Sequence, residues 1–467
     1  MSASEPALRS LDGARRVPFW LDDPARPDAL PSLSGEERAD LAIVGGGFTG
    51  LWAAVEAKER DPHRDVLLLE GGRVGWAASG RNGGFLASTL THGLENGLAR
   101  FPDEIAELER QGEENFAGTR DAILRHGIDA EWEETPMALL AREPHQASWF
   151  AAAAEKGARF GHRLEVLDAE GVQGLLRSPV YVGALVRYGT NALVHPAKLA
   201  WGLRDAALGL GVRIFERTPV RMVETEGTGV RLTARDGSVH AKGVVLATNA
   251  FPPFVPRARR RIVPVYDHVL MTEPLTSEQR ASIGWERREG LGDATNRFHY
   301  FRLSADDRIL WGGYDATYHL GSRIRRRFEQ DDAVHERLAR HFFETFPQLE
   351  GVRFTHRWGG VIDSSSRFSV FFGTSYEGRL AYALGYTGLG VGATRFGART
   401  ALDLLDGLET ERTALAFVRR QPLPFPPEPI RWLGIQGTIR AYDREDRTGE
   451  RGAWLRALDR IGLGFQS

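Results

Sequence analysis

The feature that most constrains this chain is a glycine-rich turn near residue 45, placed between an apolar run and a helical pattern. Residues 41–50 read Leu-Ala-Ile-Val-Gly-Gly-Gly-Phe-Thr-Gly, and a second apolar run, Val66-Leu67-Leu68-Leu69, ends at Glu70. This order is typical of a βαβ unit that binds a dinucleotide. We therefore predict a strand over 40–44, a helix over 51–60 and a second strand over 66–69.

Each residue type in this unit has a physical reason. Gly45 permits the tight turn, Gly47 has no Cβ to obstruct a pyrophosphate, and Gly50 lets the helix pack close to the sheet. The helix N-terminus directs its amides at the phosphates, and a ribose hydroxyl can donate to the terminal glutamate. The residues predicted to bind the dinucleotide here are Gly45, Gly47, Phe48, Thr49, Gly50, Glu70, Gly71 and Arg73. NAD and FAD both fit this unit.

Length and composition restrict the class of protein. The 467 residues allow roughly two to three domains, and a net charge of −2 gives no field that attracts nucleic acid. The absence of cysteine excludes disulfides and thiolate metal sites, and we predict no metal. No apolar run is long enough to cross a membrane and the N-terminus lacks a signal pattern, so we expect a cytoplasmic protein without a transmembrane segment.

The order of elements predicts an α/β fold with an interrupted, Rossmann-like nucleotide domain and an inserted β-rich (α+β) second domain. The predicted boundaries are as follows: an N-terminal arm over 1–37, nucleotide-domain segments over 38–95, 190–260 and 355–410, second-domain segments over 96–189 and 261–354, and a C-terminal tail with a helix over 411–467. Residues 323–347 are predicted to form one charged amphipathic helix.

Taken together, the motifs resemble the D-amino-acid oxidase and glycine/sarcosine oxidase family of FAD enzymes, and within it most closely the gamma-glutamylputrescine oxidoreductase group. The likeness spans nearly the whole chain. The segments that carry it are Gly45–Gly50 with Glu70, Ala78–Gly84, His195–Leu199, Val245–Ala250, Trp358–Gly360, Gly385–Val391 and Phe425–Pro429.

The resemblance implies FAD as the cofactor and assigns it further contacts. It implies that the loop at 79–84 follows the pyrophosphate and isoalloxazine, and that the helix start at 388–391 lies beside the flavin pyrimidine ring. Backbone N–H groups there would stabilise negative charge on the reduced ring. The residues implied are Ser79, Arg81, Asn82, Gly83, Gly84, Val220, Thr248, Asn249, Gly388, Leu389, Gly390 and Val391. An ordinary helix cap, a surface Arg81 and plain strand packing are the alternatives.

Family members that tether FAD use a cysteine, or a histidine directly after a tryptophan in the first glycine-rich loop. This chain has no cysteine, and Ala77 follows Trp76. The comparison implies that FAD is bound non-covalently.

The resemblance also implies the reaction, which is oxidation of the carbon beside an amine nitrogen to an imine that water hydrolyses. Substrate contacts are expected from the inserted strands and from residues near the ring. The residues predicted to touch substrate are Tyr266, His268, Tyr300, Arg302, Trp358 and Tyr386, with Thr387 beside them. Arg302 would pair with an anionic group of the substrate. A buried aromatic, a paired arginine and a core histidine are the alternatives.

The electron acceptor and the class of protein each leave alternatives open. Related sarcosine oxidases use a lysine near the flavin to activate oxygen, and no lysine follows Lys242 here. We expect an oxidase, with a dehydrogenase that passes electrons to a quinone or carrier protein as the alternative. A NAD-dependent dehydrogenase is a third reading.

A fourth reading is a protein that docks on membranes through its tail. The residues that suggest this interfacial helix are Trp432, Trp454, Leu455, Leu458 and Ile461. The sequence does not indicate the oligomeric state.

Overall fold

The computed structural model describes residues 4–251, 253–460 and 462–463. The helices are α1 (Ser4–Ser10), α2 (Phe48–Arg60), α3 (Leu94–Arg100), α4 (Ile105–Arg125), α5 (Pro144–Ala147), α6 (Phe150–Ala158), α7 (Ala169–Leu175), α8 (Pro196–Gly209), α9 (Pro256–Arg259), α10 (Ser277–Ile283), α11 (Asp332–Thr345), α12 (Gly390–Leu405), α13 (Glu411–Ala414), α14 (Ala416–Arg419), α15 (Ile430–Thr448) and α16 (Ala453–Arg460). Short 3-10 helices lie at Phe19–Leu21, Ala78–Gly80, Arg326–Glu329 and Pro347–Leu349.

The strands form three sheets. They are β1 (Gly35–Val44), β2 (Val66–Leu69), β3 (Phe85–Ala87), β4 (Glu133–Glu134), β5 (Met137–Ala141), β6 (Arg163–Leu167), β7 (Gly183–Tyr188), β8 (Asn191–Leu193), β9 (Arg213–Phe215), β10 (Met222–Glu226), β11 (Gly229–Thr233), β12 (Gly237–Leu246), β13 (Ile262–Thr272), β14 (Gly290–Asp293), β15 (His299–Leu303), β16 (Ile309–Gly313), β17 (Thr317–Tyr318), β18 (Phe354–Ser365), β19 (Phe371–Ser375) and β20 (Leu380–Leu384).

The first sheet has a parallel core in the order β20, β12, β1, β2 and β9. Leu41 pairs with Val66, and Val44 lies between Leu69 and Leu246. Residues 41–44 and 66–69 are buried on both faces of the sheet, as expected for a parallel sheet covered by helices. The predicted strand–turn–helix–strand unit is confirmed, with the first helix beginning at Phe48 rather than at residue 51.

Helices α2, α8 and α12 cover this sheet and form one apolar core with it. Helix α4 joins the same core through Leu108, Phe116 and Ile123. This position differs from the predicted boundary, which assigned 96–189 to the second domain. The physical reason is that the apolar stripe of α4 packs against α12, a helix almost three hundred residues later that local pattern cannot reveal.

The second sheet is mostly antiparallel and has two faces of different character. Its outer face, which includes Leu270, Phe301 and Trp311, packs against α11 and other helices. Its inner face, which includes Val269 and Leu310, packs with Trp20 and Trp201 towards the first domain. Strand β18 pairs with β13 along its length, so 354–365 belongs to this sheet and not to the nucleotide-domain segment predicted over 355–410.

A segment that we call the strap (residues 319–329) runs along the second sheet ahead of α11. The predicted helix over 323–347 is wrong in its first part, because α11 begins at Asp332 and the side chain of Asp331 accepts from Val334 N at the helix start. The strap is held by stacking of His319 on Phe328, with ring centroids 3.5 Å apart.

The C-terminal tail crosses the second domain and ends in α15 and α16. Asp446 accepts from the backbone nitrogens of Asn296 and Arg297 at 2.9 Å each, which anchors α15. Leu455 is fully buried, whereas Trp454 is 48% exposed, so the residues proposed for an interfacial helix do not share one exposed face. Ile461, the last of that set, lies outside the described residues. No helix in the described part of the chain has the length and apolarity needed to span a bilayer.

Candidate active site

The carboxyl ends of the parallel strands meet at one edge of the first sheet. Gly45 follows β1, Glu70 follows β2, Thr248 lies just beyond β12 and Gly385 follows β20. In open sheets with parallel strands, ligands bind outside this edge. Most of the residues predicted to bind the dinucleotide are therefore brought together, although they come from positions spread over some 340 residues.

The turn after β1 has no room for side chains. Gly45 has a φ of +115°, and a Cβ there would overlap the Ala247 carbonyl oxygen, while a Cβ at Gly50 would overlap the Gly45 carbonyl oxygen. Helix α2 begins directly after Gly47, and the Phe48 amide donates to Ser79 Oγ at 2.9 Å. The first turn of α2 thus presents amide donors beside a hydroxyl, which suits a phosphate group.

Glu70 lies at the end of β2, where the sequence predicts a carboxylate that accepts a hydrogen bond from a ribose hydroxyl. Its carboxylate accepts from Gly46 N at 2.6 Å, Gly72 N at 2.6 Å and Trp76 Nε1 at 2.7 Å. Burial raises the pKa of Glu70, and these N–H donors oppose the rise. Because a carboxylate can accept about four hydrogen bonds, capacity remains for a hydroxyl donor.

Two other predicted contacts flank this edge. Gly71 lies against Pro219, next to Val220, which packs on the core below the sheet. Arg73 approaches Glu216 at 3.9 Å and also donates to the Pro27 carbonyl, so its guanidinium is directed to the N-terminal arm. The role predicted for Arg73 on the dinucleotide stays a prediction.

The end of β12 holds a buried polar group without a protein partner. Thr248 Oγ1 is inaccessible to solvent and makes no hydrogen bond to the described residues. The next residue, Asn249, has a φ of +51° and donates to Asp363 Oδ1 at 3.0 Å. An unpaired buried hydroxyl at a ligand-binding edge is the kind of group that a cofactor satisfies.

The loop over 76–84 is fixed by the N-terminal arm and by the second sheet. Trp20 Nε1 donates to the Asn82 carbonyl and Trp358 Nε1 to the Arg81 carbonyl, both at 2.9 Å. Asn82 Oδ1 in turn accepts from Gly84 N at 2.8 Å. Trp358 is fully buried in this role, which differs from the prediction that it touches substrate.

Arg81 projects from this loop across the edge of the second sheet. It donates to the Gly359 carbonyl at 2.9 Å and pairs with Glu329 of the strap at 2.7 Å. Its stem lies against Gly360, where a Cβ would be 3.5 Å from Arg81 Cβ. Arg81 therefore connects the loop, strand β18 and the strap.

The second glycine-rich turn leads into α12 as predicted. The helix begins at Gly390 after Leu389. A Cβ added at Gly388 would have no neighbour within 4 Å among the described residues, and one added at Gly390 would lie 3.9 Å from Thr394 Cγ2. There is thus room for a further group beside these two glycines, and the predicted contact of Gly388–Val391 with a planar ring stays a prediction.

Tyr386 and Thr387 precede that turn and are directed inward. The Tyr386 hydroxyl accepts from Thr49 Oγ1 at 2.9 Å and lies against Gly397 in the middle of α12. Thr387 Oγ1 donates to the Gly385 carbonyl at 3.0 Å. Tyr386 joins α2 to α12, so the structure does not support the prediction that it touches substrate.

The inner face of the second sheet carries a tyrosine–aspartate pair. Tyr300 of β15 donates to Asp267 Oδ2 of β13 at 2.5 Å, and its ring lies 2.9 Å from where a Gly83 Cβ would stand. Burial raises the pKa of Asp267 to about 6, against the hydrogen bonds from Tyr300 and the backbone, which lower it. Tyr300 was predicted to contact substrate, and its position beside the loop suits that role.

Sequence reasoning did not select Asp267. The available signal was an acid at the centre of the strand Ile-Val-Pro-Val-Tyr-Asp-His-Val-Leu-Met-Thr, which is otherwise almost wholly apolar. A charged residue inside such a strand requires a partner or a function.

Arg302 lies on the same face but is enclosed. It is 1% exposed, donates to the Val194 carbonyl at 2.8 Å and to the Leu303 carbonyl at 3.0 Å, and stacks over Trp20 at 5.7 Å. Burial lowers the pKa of Arg302 to about 10. These contacts differ from the predicted pairing with a substrate anion, because the guanidinium fixes the chain before α8 to the sheet.

Tyr266 and His268 lie on the opposite face from Tyr300. The ring centroids of His268 and of His335 in α11 are 5.3 Å apart. The Tyr266 hydroxyl forms hydrogen bonds with the backbone of Arg325 in the strap. Both side chains are 1% exposed. The prediction that they line one cavity with Tyr300 is not supported, because alternation along β13 turns Asp267, between them, to the inner face.

Comparison with known proteins agrees with this geometry. The DAO family, described as FAD dependent oxidoreductase, matches residues 40–404. The chain belongs to this family. It is an FAD-dependent oxidoreductase, as the resemblance implied.

Individual relatives and a solved structure are similar to the chain over most of its length. A gamma-glutamylputrescine oxidoreductase of Escherichia coli (strain K12) is 32% identical over 402 residues, covering 85% of this chain and 89% of the relative. A probable oxidoreductase OrdL of Haemophilus influenzae is 30% identical over 411 residues, with the same shares covered. A glycine oxidase structure from Geobacillus kaustophilus is 20% identical, with a TM-score of 0.67 over 83% of this chain and all of that one, and shows the fold.

The residues present fit FAD. The glycine turn after β1, the carboxylate of Glu70, the unpaired hydroxyl of Thr248 and the open start of α12 lie along one edge of the first sheet. The inner face of the second sheet, with Tyr300, adjoins the loop at Gly83. The cofactor's two ends therefore have donors and acceptors, and a separate face remains for a substrate.

Proposed function

We propose that this enzyme oxidises the C–N bond of a small amine or amino acid, with molecular oxygen as the electron acceptor. The overall reaction is R–CH2–NH2 + O2 + H2O → R–CHO + NH3 + H2O2. A secondary amine releases a primary amine in place of ammonia. FAD, when bound, accepts the hydride equivalent from the carbon beside nitrogen.

The observation that carries the proposal is the position of the Tyr300–Asp267 pair, on the inner face of the second sheet and against the loop at Gly83. That face offers a hydroxyl and a carboxylate to a polar small molecule. Similarity along 85% of the chain to an oxidoreductase named for gamma-glutamylputrescine, an amine, supports the substrate class.

The chain's own residues have defined tasks in this reaction. Tyr300 and Asp267 bind and orient the amine, and the two indole N–H groups of Trp20 and Trp358 keep the loop over 81–82 in place. Arg81 of this loop is in turn held by its ion pair with Glu329 of the strap. A hydroxyl on the ribose would donate to Glu70. FAD is held non-covalently, because the chain has no cysteine and Trp76 is followed by alanine.

An anionic group on the substrate is expected from the sequence only because Arg302 would pair with it. Because that guanidinium is enclosed and bonded to backbone carbonyls, the proposal no longer includes such a group beside the amine.

Oxygen activation needs a positive charge near the ring, and the lysine that sarcosine oxidases use is absent. His268 lies on the outer face. We assign no residue to this role, because Arg81, the arginine on the loop, is ion-paired with Glu329.

The test is the electron balance of the purified holoenzyme with an amine that reduces its flavin. An oxidase releases one hydrogen peroxide per amine oxidised in air. Peroxide far below the amine consumed, with rapid reduction of a quinone or dye, would instead establish the dehydrogenase that we hold as the alternative.

A further inference from the structure

Asp267 is a carboxylate that the protein itself leaves without a counter-ion. Its oxygens accept from Tyr300 OH at 2.5 Å, from its own neighbour His268 N at 2.9 Å, and from Gly313 N. Within the residues that the structure describes, no lysine or arginine forms an ion pair with it. An acid set into a sheet without a cation is costly, since its desolvation is not offset by a charge of opposite sign.

The nearest charged groups are already neutralised by other partners. Arg81, which packs on Gly360 opposite Asp267 in the β13–β18 pairing, forms its ion pair with Glu329. Asp315, just after β16, adds negative charge near Asp267 and is itself paired with both Arg297 and Arg337. Asp267 therefore differs from these neighbours, because its own carboxylate has no ion-pair partner among the described residues.

The pair is also accessible, unlike the residues on either side of it. Asp267 and Tyr300 are partly exposed, whereas Tyr266 and His268 are each 1% exposed. On the inner face, the Tyr300 ring of this pair lies beside the loop at Gly83. A ligand that reached this carboxylate from the inner face would displace no described protein group that is ion-paired to it.

We propose that Asp267, oriented by Tyr300, binds the amino group of the substrate as its ammonium ion, accepts the proton that the nitrogen must lose before the adjacent carbon is oxidised, and thereby selects the substrate class. The preferred substrates are amines whose amino-bearing carbon carries no carboxylate. An α-amino acid would bring a second anion close to Asp267. Among the described residues, Arg302 is enclosed and Arg81 is ion-paired with Glu329, so neither is free to compensate that anion. This inference rests on the proposed amine oxidation and narrows it.

The experiment measures binding to the dithionite-reduced holoenzyme under anaerobic conditions, where the amine binds without turnover. Isothermal titration compares butylammonium with both enantiomers of norvaline, which is the same molecule with a carboxylate on the amino-bearing carbon. We expect butylammonium to bind at least about tenfold more tightly than either enantiomer. Equal or tighter binding of norvaline would overturn the inference.

Variants separate the role of Asp267 from general effects of charge. D267N keeps the size of the side chain and its acceptor for Tyr300, and we expect a loss of about tenfold or more in butylammonium affinity. D315N makes the same change in a nearby acid that is already paired with two arginines, and we expect less than about threefold change. Unchanged affinity in D267N, at wild-type FAD content, would overturn the proposal.

Two further readouts keep the test decisive. If D267N does not retain FAD, Y300F is measured instead, and the inference requires that it weaken butylammonium more than norvaline. If the wild-type flavin is not reduced by any amine, the proposed function fails. If amines reduce it but D267N binds them normally, only the present inference fails.

Discussion

Tyr300 and Asp267 are joined across a strand that lies between their own two strands. Tyr300 is in β15 and Asp267 in β13, with β16 between them, and the tyrosine ring passes over Gly312 of β16 to reach the carboxylate. A Cβ at Gly312 would lie 2.6 Å from the ring. The pair therefore depends on the positions of three strands.

Cation binding should depend on the ionisation of Asp267. Because burial raises its pKa to about 6, the carboxylate is protonated below that pH and the affinity for butylammonium should fall there, by about tenfold per pH unit. Tyr300, Asp315 and the Arg81–Glu329 pair are the other titratable groups that face it. Titration from pH 5 to 8, with butylammonium charged throughout, measures the midpoint. Y300F should move it upward, because the hydroxyl stabilises the charged form, and a flat profile would contradict the assignment.

The same raised pKa has a consequence for stability. The folded state holds the Asp267 proton up to about pH 6, whereas the ordinary value is 3.8, so the wild-type protein loses stability as the pH rises through this interval. The loss amounts to at most about 3 kcal/mol, because one pKa unit corresponds to about 1.4 kcal/mol. D267N lacks this titration. Its Tm should therefore rise relative to wild type between pH 4.5 and 7.5, and parallel Tm curves would contradict the shift.

The turn after β1 should tolerate no side chain at Gly50. G50A places a methyl group into the Gly45 carbonyl oxygen, which moves the turn away from the helix start, and we expect purified protein almost free of FAD. The matched control is G434A, in the second turn of α15, where the added Cβ would have no described neighbour within 4 Å outside the helix backbone. This control should keep its FAD and gain up to about 1 kcal/mol in stability. The measurement is flavin absorbance per polypeptide, and normal flavin content in G50A would be inconsistent with the cradle described here.

The strap should loosen when its ion pair is removed. E329Q leaves Arg81 bonded only to carbonyl oxygens, and the four exposed or nearly exposed arginines at 323–327 are sites for trypsin. We expect faster cleavage there than in wild type. E377Q, which breaks the pair of Glu377 with Arg379 at 3.0 Å outside the site, should leave that rate unchanged. Equal cleavage rates in E329Q and E377Q would show that Arg81 does not hold the strap.

The sequence predicts those parts of the molecule that depend on neighbours in the chain. The turn at Gly45, the strand before it and the acid at Glu70 follow from local pattern, and so does the start of α12 at Gly390. Alternation also placed Tyr266 and His268 together on one face of β13. It does not say which face the helices cover, because the packing of α11 on that strand is a tertiary contact.

The functional pair was missed for a related reason. Asp267 lies between Tyr266 and His268, the two residues of this strand that are predicted to touch substrate. Its partner Tyr300 is contributed by a strand that is not adjacent in the sheet. Arg302 was assigned to substrate by its charge, but the carbonyls that occupy it belong to the chain itself and become visible only in three dimensions.

The measurement that tests the central claim most directly is anaerobic reduction of the bound flavin by a panel of amines and α-amino acids. The purified protein is expected to carry flavin, and simple alkylamines should bleach its visible absorbance band within seconds to minutes, while the α-amino acids act more slowly. A flavin band that persists with every amine tested, in protein fully loaded with FAD, would contradict the account.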